Sequence, residues 1–142
     1  MGSDDAARWR EERREAAAAH ADALARRQNA ESARARALIA AFVEEARVSG
    51  PPPVELRART YDGRSQVRTR LRGWYLRQNQ TVGIDTEGRF YVLSAPGGLV
   101  ARLRPAEVAP SDPPLVLGLG GKDGETLDLA VALDRLREQR RA

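Results

Sequence analysis

Residues 5–48 contain neither glycine nor proline, and they run straight into Ser49-Gly50-Pro51-Pro52-Pro53. No other feature limits the fold as much. Ala, Arg and Glu, which crowd this run, are strong helix formers, whereas three prolines in a row cannot prolong a helix. The chain therefore has to open with one long helical segment that stops near residue 49. Its core has to come from the second half of that segment and from the residues beyond the prolines.

The two halves of the segment differ. From Glu31 onward, Ala35, Leu38, Ile39, Phe42, Val43 and Ala46 recur at three- and four-residue spacing, which makes an apolar stripe able to lie on a sheet. Between residue 5 and Asn29 the large apolar residues are Trp9 and Leu24, so this half has little to bury. Asn29 can cap a second helix, but no loop residues surround it, and one long helix, straight or bent, is expected. The expected division is a projecting helical arm over residues 1–30 and a single α+β domain over residues 31–142. The arm is either a solvated helix or a surface for a homodimer or protein partner, with Trp9 and Leu24 as its candidate contacts. Its leucines do not repeat in heptads, so a coiled coil is not supported.

After the prolines the pattern changes to period two. Val54–Thr60 alternates apolar and charged residues, which predicts a half-buried strand with Val54, Leu56 and Ala58 inward. Asp62-Gly63 supplies a turn, and a second strand starts near Val67. In that strand Arg68, Arg70 and Arg72 share one face, but Trp74 and Leu76 then occupy the same parity. A change of this kind needs either an inserted residue or cover on both faces, and Gly73 is the expected place for a bulge. Thr81–Ile84 follows as a short strand, Asp85–Gly88 as a turn with Gly88 at positive φ, and Arg89–Ser94 as a strand with large side chains on both faces, expected at the centre of the sheet. Four of the chain's seven aromatic residues, Trp74, Tyr75, Phe90 and Tyr91, fall in this meander.

Leu99–Leu103 fits a short strand or a helical turn equally. Pro105–Pro114 reads as a rigid connection, Leu115–Leu119 as a β run and Gly120–Gly124 as a glycine loop. The last segment, from Asp128 to Arg141, places Leu129, Leu133 and Leu136 on one helical face, with Asp128 as N-cap. The fold class expected is α+β: a long N-terminal helix, an antiparallel β-meander of four to six strands, and a C-terminal helix packed on the sheet.

Chemistry is harder to find. There is no cysteine, and His20 is the one histidine, so Cys-His and Ser-His-Asp sites cannot be assembled. Gly121-Lys122 is followed by Asp123, where a phosphate-binding loop needs Ser or Thr. No catalytic, cofactor-binding or metal-binding residue is assigned. The absence of a signal-like or membrane-length apolar run leads to a cytoplasmic expectation. Charge is more informative: residues 54–104 hold ten arginines against four acids, while residues 1–53 are balanced. Arg57, Arg59, Arg68, Arg70 and Arg72, with Tyr61 and Tyr75, form the candidate binding face, and Arg64 and Arg77 lie beside it.

The runs YDG (61–63), LRGWYLR (71–77), DTEGRFYVL (85–93), SDPPLVLG (111–118) and GGKDGE (120–125) resemble a group of small uncharacterised proteins from high-GC actinobacteria. These pair an Ala/Arg/Glu-rich N-terminal helix with a similar β region, and the resemblance covers roughly residues 25–136. It implies a one-domain arrangement and carries no site residue. The expectation is a non-enzymatic binding or structural protein acting through protein contacts. The alternatives are nucleic-acid binding by the arginine-rich sheet face, and a small hydrolase or transferase whose site has no recognisable motif.

Overall fold

A computed structural model describes residues 2–118 and 125–139. The opening run is a single helix, α1 (Ser3–Ser49), which passes through Asn29 without a break. Gly50 ends it, its amide bonded to the Ala46 carbonyl, and the prolines lead into the sheet. Burial on α1 starts only at its second half, with Ala35, Ile39, Phe42 and Val43 inside. Leu38, expected in the same stripe, stays largely on the surface.

Five strands follow: β1 (Val54–Thr60), β2 (Gln66–Tyr75), β3 (Val82–Asp85), β4 (Phe90–Val92) and β5 (Ser94–Ala95). They form one sheet in the order β4-β3-β2-β1-β5, antiparallel except for the parallel pair β1–β5. This order has a geometric consequence. The outer strands of a flat five-stranded sheet stand about 19 Å apart, at about 4.8 Å per strand. Yet β4 and β5 are separated by Leu93 alone, and an extended chain from Val92 to Ser94 reaches about 7 Å. The sheet therefore curls until its edges meet, and residues 90–95 pair with β3 on one side and β1 on the other. The expectation of a central strand here is corrected: β4 is terminal in the order, and both its faces are covered because the sheet closes.

Closure creates an inside and an outside. Leu56, Tyr91 and Leu93, with Leu71, Tyr75 and Val108 against them, fill one part of the interior, and Ala58, Val67 and Ala95 fill another. Alanine suits the second part because the curled strands leave little room. Outside, Trp74, Leu76, Ile84 and Phe90 meet Ile39, Phe42 and Val43 of α1 in the larger core. The Trp74 ring stands edge-on to Phe42, with centroids 5.1 Å apart, and its indole N–H donates to the Pro51 carbonyl at 3.0 Å. The proline linker is thus tied to the same side chain that joins helix to sheet.

Gly73 does not carry the bulge. The β2–β3 pairing runs unbroken through Gly73↔Asp85, and the odd residues Val67, Leu71 and Tyr75 of β2 turn inward along its whole length. The even positions change from arginine to Trp74 and Leu76 because the helices cover only that end of the outer face. The irregularity lies earlier: β1 pairs Glu55↔Arg72 and then Arg57↔Arg68, so Thr69, Arg70 and Leu71 stand against Leu56 alone. Side chains satisfy the displaced backbone. The Thr69 hydroxyl donates to the Leu56 carbonyl at 2.5 Å, and the Tyr75 hydroxyl accepts the Arg57 N–H at 2.8 Å. Val54, expected inward, is 46% exposed at the strand's start.

Residues 99–103 resolve as a helical turn, α2 (Leu99–Leu103). Ala101, Ala106 and Val108 pack against the barrel interior, so α2 and the residues after it close one end. The proline-rich connection is fastened rather than loose: Ala106 N–H bonds to the Arg68 carbonyl, Ser111 N–H to that of Phe90, and Asp112 pairs with Arg36 of α1. Within the expected Leu115–Leu119 run, β6 (Val116–Leu117) pairs with β7 (Leu127–Asp128), and Leu119 lies outside the described residues. The last helix, α3 (Leu129–Glu138), buries Leu129, Ala132, Leu133 and Leu136 as expected. Asp128 occupies its N-cap position, with no side-chain capping bond. Arg137 clasps α3 to α1 through Glu45 at 2.6 Å. Gly120–Gly124, Arg140 and Arg141 lie outside the described residues.

A methyl group on Gly73 would fall 1.8 Å from the Ile84 carbonyl oxygen, whereas one on Gly63 would meet open space at φ +74°. Gly73→Ala is therefore expected to cost about 3 kcal/mol through overpacking, against about 1 kcal/mol for Gly63→Ala through backbone strain. Urea denaturation of both variants measures the difference. Equal losses would mean that the strands are not pressed together at Gly73.

Candidate functional site

Period-two geometry puts directly opposed residues of neighbouring strands on one face. Glu55↔Arg72, Arg57↔Arg68 and Arg59↔Gln66 are such pairs, so Arg57, Arg59, Arg68, Arg70 and Arg72 share the outer face of β1 and β2. The structure brings together all five arginines of the expected face. Arg57 lies across from Arg68, a like-charge pair that works against the fold. Glu55 is opposite Arg72 but not within ion-pair distance. Among the described residues none of the five forms an ion pair.

Their hydrogen bonds go to carbonyl groups instead. Arg59 reaches the Gly63 and Asn79 carbonyls at 3.3 and 3.1 Å and is half-buried, holding the β1–β2 turn to the turn after β2. Arg68 reaches the Arg102 carbonyl at 3.4 Å and Arg72 that of Pro53 at 3.4 Å. A carbonyl oxygen leaves the guanidinium charge uncompensated. Arg77 belongs elsewhere, against the Glu125 carbonyl.

The two tyrosines separate. Tyr61, at the β1–β2 turn, is 74% exposed. Tyr75 points into the barrel against Leu56, Tyr91 and Leu93, and its hydroxyl serves the bulge, so it is no surface aromatic. Its odd position in β2 is the signal for this.

At the edge of the arginine face lies an open cleft of about 870 Å³ between the β1–β2 turn and α2. Arg57, Tyr61, Arg68 and Arg102 line it, together with Gly97 and Gly98. A Cβ on Gly97 would approach Thr60 Cγ2 to 3.0 Å, so glycine lets this loop pass close to β1. Asp62 also lines the cleft. Its Oδ1 accepts from the Thr60 hydroxyl at 2.6 Å and from the Arg64 amide at 3.0 Å, and these bonds hold its carboxyl below the usual range. Arg102 is absent from the sequence-derived face because nothing local joins it to β1 and β2. Only the closure of the sheet does so.

Among the described residues the most enclosed charge is Asp85, 4% exposed. Burial pushes its carboxyl upward, but bonds from the Arg89 amide, the Tyr91 hydroxyl, the Arg89 guanidinium and the Glu87 amide outweigh this and bring it below 3.8. Burial and the same bond to Asp85 push the Tyr91 hydroxyl above its ordinary range. This network shapes the turn expected at Asp85–Gly88; Asp85 itself is enclosed, while Glu87 and Arg89 reach the lining of a second, smaller cleft of about 450 Å³ beside Arg36 and Asp112.

On the arm, Trp9 is 57% exposed and Leu24 is also on the surface. The Arg13 guanidinium covers one face of the Trp9 ring at 4.7 Å. Among the described residues no group of three or more His, Asp or Glu gathers to hold a metal ion, and no helix is long and apolar enough to cross a membrane. No protein-family model matches the chain, and no curated protein or solved structure matches it significantly.

Because the folded carboxyl of Asp85 titrates below the unfolded value near 3.8, its contribution is complete above that value and is lost as the pH falls through the folded pKa. Asp85→Asn is expected to cost about 1.5–3 kcal/mol at neutral pH and to flatten the rise of stability with pH below about 4. Denaturation across an acid pH series checks both. An unchanged acid slope would remove Asp85 from the account.

Proposed function

We propose that this protein is a binding module that holds nucleic acid by its phosphates on the arginine face of the barrel. The observation that supports this reading is the opposition of Arg57 and Arg68 amid Arg59, Arg70 and Arg72, with no carboxylate pairing any of them among the described residues. Such a face is costly alone and is relieved by a polyanion, which releases its condensed counterions as the guanidinium groups take their place. Phosphate contacts of this kind carry affinity without base sequence.

Binding of random-sequence DNA and RNA across a salt series tests it. Affinity is expected to fall steeply with salt, and Arg57→Ala/Arg68→Ala to reduce the slope of log K against log salt by about 2. Relief of the like-charge pair should leave the double variant as stable as the parent or up to about 1 kcal/mol more stable in thermal denaturation. No binding at low salt, or an unchanged slope in the variant, removes the reading.

A second reading rests on the arm. Ser3–Ala30 extends about 42 Å at about 1.5 Å per residue, with exposed Trp9 and Leu24 about 60° apart around the helix. This suits a homodimer or a protein partner docked along α1. Sedimentation equilibrium is expected to show self-association that Trp9→Ala/Leu24→Ala weakens. A monomer at high concentration excludes the homodimer.

A further inference from the structure

We infer that the cleft between the β1–β2 turn and α2 takes an unpaired nucleobase, which makes a single strand, in DNA or RNA, the preferred ligand over a duplex. This rests on the reading that the arginine face binds phosphates. Tyr61 carries the argument. It stands on the cleft wall with 74% of its surface exposed, and among the described residues no hydrogen bond or ring contact occupies it. A tyrosine left this way offers a stacking face, and aromatic stacking on splayed-out bases is how single strands are gripped without sequence preference.

The remaining lining agrees with a flat, partly apolar guest beside a phosphate. The volume of about 870 Å³ lies within the usual range of ligand-sized clefts. Gly97 and Gly98 put bare backbone in the lining, and Leu99, 77% exposed, adds apolar surface on the side of α2. Charge fixes the orientation. Arg57, Arg68 and Arg102 stand where a backbone phosphate would pass, while the ionised Asp62 repels phosphate and accepts hydrogen bonds from the exocyclic amine of a base. The base thus enters toward Asp62 and Tyr61, and the strand continues over β1 and β2. A duplex keeps its bases stacked inside and leaves Tyr61 unused.

Fluorescence anisotropy with a labelled single strand of about twelve nucleotides, and the duplex of the same sequence, tests the inference on the full chain at low salt. The single strand is expected to bind about tenfold more tightly than the duplex. Tyr61→Ala should remove that advantage, weakening single-strand binding about tenfold while leaving duplex binding and the salt slope unchanged, and Tyr61→Phe should retain it. Tyr61 is exposed, so neither variant disturbs the core. Equal affinity for the two forms in the parent, or equal loss of both in Tyr61→Ala, overturns the base-in-cleft inference and leaves phosphate binding by the arginines standing. Failure of both probes to bind overturns the arginine-face reading and this inference with it.

Discussion

One residue, Leu93, connects the two ends of a five-stranded sheet. That connection is shorter than the width of any flat arrangement, and much of the domain can be understood as a response to it. Curling brings backbones together on the inside, which calls for small side chains, and Ala58, Ala95 and Gly83 stand there. It lengthens the path along β2 relative to β1, and the extra residues opposite Leu56 absorb the difference. The polar groups displaced by that insertion find Thr69 and Tyr75. A tyrosine that looks like a surface aromatic is in this way part of the curvature.

The same closure decides which surface is left over. α1 and α3 sit on the outer face around Trp74, Leu76, Ile84 and Phe90, and their cover ends where Arg72 begins. The arginines occupy the part of the barrel that neither α1 nor α3 reaches. Their convergence is therefore a product of topology, and their number without carboxylate partners among the described residues is what separates them from an ordinary solvated face, where opposite charges usually alternate across strands. The cleft arises because α2 closes the barrel end beside that face, carrying Arg102 next to Arg68.

Elements governed by local chemistry were legible in the sequence. The Gly/Pro-free run foretold α1, the positions of Leu129, Leu133 and Leu136 foretold the buried face of α3, and Asp85–Gly88 foretold a turn with Gly88 at positive φ. What depends on distant pairing was not. Period-two reading detected an irregularity in β2 but placed it at Gly73, because a change from arginine to tryptophan looks the same whether the strand bulges or a helix begins to cover it. β4 looked central because both its faces are apolar, and a closed sheet produces that pattern at its ends as well. For the site, the shared face of five arginines followed from alternation, whereas Arg102 and the cleft had no local signal.

Closure also makes the two terminal strands, β4 and β5, one continuous segment rather than two separate edges. The outer edge of β4 turns into β5, Phe90 is further engaged by Ser111, and Arg68 by Ala106. An extended peptide or a second copy therefore finds less exposed ladder here than along the full-length edges of an open sheet, which disfavours strand-by-strand recruitment and edge-to-edge aggregation. Recognition through the barrel therefore falls chiefly to its side chains.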